Sequence, residues 1–288
     1  MLWLQVLANG LMLGGLYACI AAGFSLVWGV LNVINILHGS LIVLGGYLAY
    51  FGYTLWGIHP FASIPLIGAL FFVLGYLVQA SVINRMIAAP VLLTLTLTFG
   101  LDLMLNNAML VAFKADFRRL TLEPPLGTLE LGELSLPVDR MLAMVLAIAL
   151  TGLLYLVLSR SRIGRAIVAV RMDRWAAALM GVNVNRIYAI TFGLGALMAG
   201  ASGPLLAMIF PISPLTSSAY LGKAFVVCVL GGLGSVPAVI VGGIVLGVVE
   251  SLASVWFGSE HAITVSFVLL IGFLIFKPTG LLGKKGFE

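Results

Sequence analysis

The stretch that decides the fold is Leu4–Gly29, LQVLANGLMLGGLYACIAAGFSLVWG, in which no residue is charged. A helix needs about 20 consecutive apolar residues to cross the hydrocarbon core of a bilayer. This stretch is long enough, and it lacks the basic start and the short apolar core of a cleaved signal peptide. We therefore predict a retained membrane-spanning helix. The first Asp, Glu, Lys or Arg of the chain is Arg85, so lipid is the expected solvent well beyond this stretch.

The composition of the whole chain points the same way. Of its 288 residues, 62% are hydrophobic and 9% are charged, and the mean hydropathy is +1.18. A soluble domain carries about 25% charged residues. A chain of this composition could not cover its own surface in water, which excludes a soluble enzyme and a nucleic-acid-binding protein. The two cysteines, Cys19 and Cys228, lie in apolar runs and offer no metal or disulfide spacing.

Further long apolar runs follow the first one. They predict an all-α integral membrane protein, a bundle of eight or nine transmembrane helices that forms one domain over residues 1–288. Leu221–Leu233 is the ninth run and is only marginally long enough. The other runs are Gly39–Leu55, Phe61–Ile83, Val91–Phe113, Val138–Ser159, Ile187–Phe210, Val236–Phe257 and Ile263–Phe276.

The basic residues predict the orientation, because loops on the cytoplasmic side of a membrane are enriched in Lys and Arg. Residues 160–186 carry six arginines against one acid, Asp173, so we predict that they are cytoplasmic. The C-terminal tail with Lys277, Lys284 and Lys285 is expected on the same side. Residues 114–137 have no positive excess and are predicted to form an external loop. This distribution accounts for the net charge of +5 without a nucleic-acid partner.

The connector at residues 160–186 is long and amphipathic. Its composition predicts a helix that ends at Gly181. Two interpretations stay open at this point. An arginine-rich amphipathic helix either lies on anionic membrane lipid or seats in a groove of a partner protein.

Catalytic patterns are scarce. His38, His59 and His261 are far apart, and the nearest approach to a P-loop, Gly222-Lys223-Ala224, lacks the hydroxyl that would hold magnesium. We therefore predict that this chain is not an enzyme, that it has no means of hydrolysing ATP, and that it binds neither a cofactor nor a metal.

A few polar residues interrupt the apolar runs and are the candidates for function. Asp102 lies in the middle of a run, where an acid costs about 2.5–3.5 kcal/mol on insertion scales, and Asn106 is one helical turn away. These two either line a substrate path or form hydrogen bonds inside the bundle. Glu250 poses the same question, whereas Lys223 lies near a helix end, where we expect its amine to reach the membrane surface.

Asn32, Asn35, His38, Gly39 and Ser40 form a second polar concentration. They predict either a plain turn or, as we favour, a partly re-entrant segment that faces a cavity. A weak internal repeat accompanies them, because Gly39-Ser40 before Gly45-Gly46 resembles Gly234-Ser235 before Gly242-Gly243. Broken segments at matched places in two halves of a transporter point to a central site. The predicted substrate pathway is therefore Asn32, Asn35, His38, Gly39, Ser40, Asp102, Asn106, Gly234 and Ser235.

Two glycine pairs predict close packing between helices. Gly10 with Gly14 and Gly243 with Gly247 each show the spacing that lets membrane helices approach closely.

Several segments, in order along nearly the whole chain, resemble one family. They are Asn35–Gly39 (NILHG), Gly164-Arg165, Asp173–Gly181 (DRWAAALMG), Lys223–Phe225 (KAF), Leu230–Ser235 (LGGLGS) and Pro278–Gly283 (PTGLLG). Together they resemble the permease of a branched-chain amino-acid ABC importer of the LivH type. The chain departs from the family in having Trp175 where an acid is usual, and Ile36-Leu37 and Ser40 around His38-Gly39.

The resemblance implies a bacterial inner-membrane importer subunit that works by alternating access. It implies a second, related permease, two cytoplasmic ATPases and a periplasmic or secreted substrate-binding protein as partners. It also implies that the connector contains the coupling helix, with Arg165, Arg171, Asp173, Arg174, Trp175, Ala176, Ala177, Ala178 and Gly181 at the ATPase. The expected solute is a branched-chain or other small neutral amino acid. Relatives that import urea or short amides leave the solute open, and an ion-coupled secondary transporter that uses Asp102 is the alternative of another class.

Overall fold

Helix α1, Leu2–Leu31, lies at the centre of a helical bundle in the computed structural model. The structure describes residues 2–86, 90–131, 134–258, 261–277 and 280–282. With 30 residues and a rise of 1.5 Å per residue, α1 is about 45 Å long. Its middle is buried on all sides, with Leu16, Tyr17 and Ile20 almost fully enclosed. The uncharged stretch at the start of the chain is therefore a buried helix of membrane-spanning length.

Ten more helices follow in the described part of the chain. They are α2 (His38–Trp56), α3 (Pro60–Ser81), α4 (Val91–Phe113), α5 (Val138–Arg160), α6 (Arg162–Met172), α7 (Arg174–Leu179), α8 (Val184–Ile209), α9 (Ser217–Gly231), α10 (Val236–Phe257) and α11 (Ala262–Phe276). Two short strands, β1 (Thr128–Leu131) and β2 (Leu134–Pro137), form an antiparallel hairpin between α4 and α5. The prediction of an all-α membrane protein is confirmed.

Seven segments of the described chain are long and apolar enough to cross a membrane. The marginal run Leu221–Leu233 falls largely within one of them, Pro214–Gly231. The predicted runs Gly39–Leu55 and Ile263–Phe276 form α2 and α11, which are helical but not among the seven. The predicted total of eight or nine spans is therefore larger than seven because it includes α2 and α11. The seven are Trp3–Leu31, Pro60–Arg85, Val91–Phe113, Val138–Arg160, Val184–Ile209, Pro214–Gly231 and Val236–Phe257.

Glycine governs how α1 packs against α10. A Cβ atom added at Gly14 would lie 2.7 Å from Cα of Ile244, and one added at Gly247 would lie 2.4 Å from the carbonyl oxygen of Gly10. The two predicted glycine motifs therefore face each other across one seam. Without a hydrophobic driving force between helices in lipid, such close backbone contact is what holds a seam together, so the packing interpretation is confirmed.

α8 is the second central helix, and its span is as thoroughly buried as that of α1. α2 and α3 pack against α8, while α5 and α9 pack against α1. α4 is different, because only a small share of its span is covered by the rest of the chain. Among the helices and turns of the described chain, it packs mainly against α2 and the turn before α9. One face of α4 is thus open to whatever surrounds this chain.

Two predicted extramembrane segments have regular structure. The predicted external loop, residues 114–137, contains the β hairpin, although Gly132 and Glu133 lie outside the described residues. The predicted cytoplasmic connector forms α6 and α7, and Gly181 follows with a positive φ of 83°, as expected for the residue that ends a helix. Pro278, Thr279, Lys284 and Lys285 also lie outside the described residues, so the placement of the C-terminal tail stays a prediction.

Candidate functional site

The segment between α1 and α2 turns back into the bundle. The Nε2 atom of His38, the first residue of α2, lies 2.9 Å from the carbonyl oxygen of Ile20. Ile20 precedes the end of α1 at Leu31 by about 11 residues, or about 16 Å along the helix. Residues 32–37 must therefore run back along α1, and α2 begins near the middle of α1. This geometry agrees with the predicted re-entrant segment and not with a plain surface turn.

Four polar side chains meet where α2 begins. The hydroxyl of Ser40 donates a hydrogen bond to Oδ1 of Asp102 on α4, at 2.5 Å. One turn further along α4, Nδ2 of Asn106 donates to Oγ of Ser217 at the start of α9, at 2.9 Å. A Cβ at Gly39 would lie 2.3 Å from the carbonyl oxygen of Ser217. Only glycine at position 39 therefore lets α2 and α9 come together here. We call Ser40, Asp102, Asn106 and Ser217 the central polar cluster.

A second layer of polar groups fixes the re-entrant segment beside α4. The hydroxyl of Thr98 donates to the carbonyl oxygen of Ile34 at 2.8 Å. Asn35 and His38 are fully buried, and both amide atoms of Asn35 and Nδ1 of His38 have no hydrogen-bond partner among the described residues. A buried polar atom that is left without a partner costs about 1–3 kcal/mol. Such atoms are therefore candidates for hydrogen bonds with ordered water or a ligand.

The central polar cluster lies on the open side of the chain. Asp102 and Asn106 are only partly buried, while Ser40 and Ser217 behind them are enclosed. Ionisable side chains in membrane spans face a bundle interior or a water-filled cavity, not lipid. The partly exposed edge of Asp102 is therefore expected to face a water-filled path or another subunit and not lipid.

A cavity of about 490 Å³ opens at the other end of the re-entrant segment. It is lined by the end of α1, the start of α4 and the junction of α6 with α7, including Asn32, Thr94, Arg171, Asp173 and Arg174. Asn32 has a left-handed backbone, with φ of 53°. The structure thus separates Asn32 from the central polar cluster and places it beside the connector.

Gly234 and Ser235 also lie away from the central polar cluster. Arg171 donates a hydrogen bond to the carbonyl oxygen of Gly234, and a Cβ at Gly29 would lie 2.5 Å from Cα of Gly234. Partial burial lowers the pKa of the Arg171 guanidinium below its usual value. Ser235 is the residue before α10. These contacts join the connector to the ends of α1 and α10, at a level different from that of Ser40 and Asp102.

The remaining residues that the resemblance assigned to coupling lie on or next to α7, apart from Arg165 on α6. The carboxylate of Asp173 caps α7 by accepting hydrogen bonds from the backbone of Trp175 and Ala176, at 2.8 and 3.0 Å, a contribution of about 1 kcal/mol. Trp175 is 71% exposed and Leu179 is 89% exposed. Arg165, Arg174, Ala176, Ala178 and Gly181 are exposed as well, and Ala177 is buried. α7 therefore presents an apolar surface with arginines around it.

Lys223 corrects one expectation. Its amine does not reach a membrane surface but is buried, 2.6 Å from Oε1 of Glu250 and 2.7 Å from the hydroxyl of Tyr17. The side chain also lies over the rings of Tyr17 and Phe210. The expectation failed because the partner residues are far away in the sequence. Nothing in the apolar run around Tyr17 signals its role, and the same holds for Ser217 in the central polar cluster.

Long buried helices, an interrupted segment that returns to mid-bundle and polar groups at that depth are together typical of membrane transport proteins. This is the class that the fold and site define. Residues 6–276 match the family model described as branched-chain amino acid transport system, permease component. The chain belongs to that family.

Named relatives agree with the family model over almost the full length. The chain is 34% identical to the high-affinity branched-chain amino acid transport system permease protein BraD of Pseudomonas aeruginosa, over 99% of this chain and 97% of the relative. It is also 34% identical to LivH of Escherichia coli K12, with the same coverage. LivM of Salmonella typhimurium is 28% identical, over 93% of this chain and 68% of LivM.

A solved structure shows the same fold. PsaBC from Streptococcus pneumoniae in complex with Fab matches with a TM-score of 0.50 and 13% identity, over 96% of this chain and 93% of that one. At this identity the likeness concerns the fold alone.

Proposed function

We propose that this chain is the membrane-spanning permease subunit of an ATP-driven importer for branched-chain or other small neutral amino acids. The names of its relatives BraD and LivH, at 34% identity over nearly the full length, support the solute class. The proposed partners are a second, related permease, two cytoplasmic ATPases and a secreted binding protein. The similarity to both LivH and LivM supports a related second permease.

The observation that carries the proposal is the link between an exposed docking surface and the membrane helices. α7 offers Trp175 and Leu179 to a partner, while Arg171 of the adjoining α6 holds Gly234 between α9 and α10. An ATPase that moves α7 would therefore move the junction of α1, α9 and α10. A ligand shifts a conformational equilibrium only through contacts that differ between the two states, and this connector offers such contacts.

The solute path follows from the open face of α4. We infer that the second permease covers the exposed edge of Asp102 and Asn106, so that the path runs between the two permeases. The re-entrant segment then lies along one wall of this path, with the central polar cluster at mid-depth and the cavity beside Asn32 at the connector end. In the alternating-access cycle, we propose that the central polar cluster is reached in turn from the outer side and from the connector side, through the cavity beside Asn32.

Two matched tryptophans test the docking surface. Trp175 on α7 and Trp56 at the end of α2 are 71% and 75% exposed, but α7 lies in the connector and α2 ends well away from it. With all subunits co-expressed, Trp175→Ala should lower co-purification of the ATPases and ATP-dependent leucine uptake, while Trp56→Ala should change neither. Equal effects of the two changes would contradict the docking role of α7.

A reconstitution experiment tests the source of energy. The proposal predicts no uptake into proteoliposomes that contain this chain alone, and uptake with ATP when the partner permease, ATPases and binding protein are added. An ion-coupled transporter built on Asp102 would concentrate leucine without them, and the family does not favour it. Uptake by this chain alone would refute the proposal.

A further inference from the structure

We propose that Asp102, which accepts a hydrogen bond from Ser40, binds the ammonium group of the transported solute. This inference rests on the proposed function and deepens it, because it names the chemical group that the central polar cluster recognises. It also favours an amino acid over urea or a neutral amide as the solute.

The charge of Asp102 is the first argument. Among the residues that the structure describes, the ion pair is Lys223 with Glu250, and no Lys, Arg or His lies within salt-bridge distance of Asp102. Its hydrogen bond comes from a neutral hydroxyl, that of Ser40. A carboxylate in a membrane span is costly unless it pairs with a cation or lines a wet cavity. Because Asp102 is partly exposed on the open face of α4, a cation from outside this chain has access to it.

The hydrogen-bond inventory of the cluster is the second argument. The hydroxyl proton of Ser40 is used on Oδ1 of Asp102, and one N–H of Asn106 is used on Ser217. Oδ1 of Asn106 is buried and has no hydrogen-bond partner among the described residues. The acceptor that reaches the open side of α4 is therefore the carboxylate of the partly buried Asp102. An ammonium group has three donors and no acceptor, so this carboxylate attracts it, whereas the carboxylate of a solute would be repelled.

The position of the cluster is the third argument. Ser40 belongs to the first turn of α2, directly after the re-entrant segment, and Ser217 belongs to the first turn of α9. A Cβ at Gly39 would collide with the backbone of Ser217, so these helix ends are in direct contact. A solute held by Asp102 would touch the elements that form this contact. Binding there is therefore able to favour one arrangement of α2 and α9 over another.

The test uses the complete importer in proteoliposomes with the leucine-loaded binding protein. Asp102→Asn should lower leucine uptake by about tenfold or more, since one charge-assisted contact worth about 1.4 kcal/mol is a factor of ten. Moving the carboxylate one turn along the same face, with Asp102→Asn and Asn106→Asp together, should restore a substantial part of the uptake. Asn107→Ala is the matched control, because Asn107 is exposed and its amide donates to the carbonyl oxygen of Leu103 in its own helix; it should retain uptake.

A binding measurement on the purified complex identifies the recognised group. Saturation-transfer NMR compares isoamylamine, which has the ammonium group of leucine without its carboxylate, with isocaproate, which has the carboxylate without the amine. We expect a saturation-transfer signal for isoamylamine that disappears in the Asp102→Asn variant. Any signal for isocaproate should be the same in the unaltered protein and in this variant. Dependence of isocaproate alone on Asp102 would overturn the assignment.

Co-purification of the second permease separates the remaining explanations. If Asp102 pairs with a cation of the second permease, Asp102→Asn should release that subunit, and this result would overturn the inference while leaving the proposed function intact. Full uptake by Asp102→Asn would do the same. Failure of the unaltered importer to take up leucine or any other small neutral amino acid would instead refute the proposed function.

Discussion

Breaking the buried ion pair between α9 and α10 should destabilise the protein strongly. Lys223 and Glu250 are each 7% exposed, and the amine lies 2.6 Å from Oε1 of Glu250. Removing one partner of a buried pair leaves an uncompensated charge and typically costs about 3–5 kcal/mol. We therefore expect Lys223→Met and Glu250→Gln each to lower the free energy of unfolding by about that amount.

The double variant, with Lys223→Met and Glu250→Gln together, shows whether the two residues stabilise the protein as a pair or independently. With both charges gone, the main remaining loss is the hydrogen bond between Lys223 and the hydroxyl of Tyr17, and a stranded hydroxyl costs about 1–3 kcal/mol. The double variant should therefore be more stable than either single one. Two independent losses would instead add to about 6–10 kcal/mol.

Unfolding by dodecyl sulfate in mixed micelles, followed by tryptophan fluorescence, measures these differences. Glu130→Gln is the control, since Glu130 lies exposed in the β hairpin and its loss should change the free energy by no more than about 0.5 kcal/mol. Additive single effects would refute the conclusion that the two residues stabilise the bundle as a pair.

Three further experiments test the packing, the orientation and the connector. Gly14→Ala should lower the melting temperature, because the new Cβ would lie 2.7 Å from a Cα atom of α10 and overpacking costs about 1–3 kcal/mol; Gly152→Ala, with open space around it, should not. Thr128→Cys in the β hairpin should react with a membrane-impermeant maleimide in intact spheroplasts, and Met180→Cys after α7 only when the membrane is opened; the reverse pattern would invert the predicted orientation. The native cysteines are both buried and should give little background. Arg171→Met removes the bond to Gly234, so uptake should fall while the ATPases still co-purify; loss of both together would show that Arg171 belongs to the docking surface itself.

The sequence predicts the fold class well because membrane solvation acts on local composition. Every long uncharged run must be a helix in lipid, since no water is present to satisfy backbone groups. The same local logic identified the two glycine motifs and the helix end at Gly181, although only the structure showed that the motifs face each other between α1 and α10. Asp102 and Asn106 were identifiable as well, because a polar residue is conspicuous within an apolar run.

The partners of those residues were not identifiable, because their contacts join distant parts of the chain. Ser217, which lies at a helix start, gave no sign that it would meet Asn106, and Tyr17 gave none that it would hold Lys223. Lys223 was expected at the membrane surface because a helix end was near, whereas Glu250 from another helix compensates its charge inside the bundle.

By itself, then, the sequence determined that this chain is a bundle of membrane helices, which residues are polar within it, and where its basic connector lies, because those properties depend on neighbours along the chain. Tertiary structure decided between the plain turn and the favoured re-entrant course of residues 32–37. It alone decided that Asn32 and Gly234 lie beside the connector while Ser40 and Asp102 meet at mid-depth, and that Arg171 bonds inward to Gly234. These are contacts between helices, and they are set by which surfaces fit together when the bundle closes.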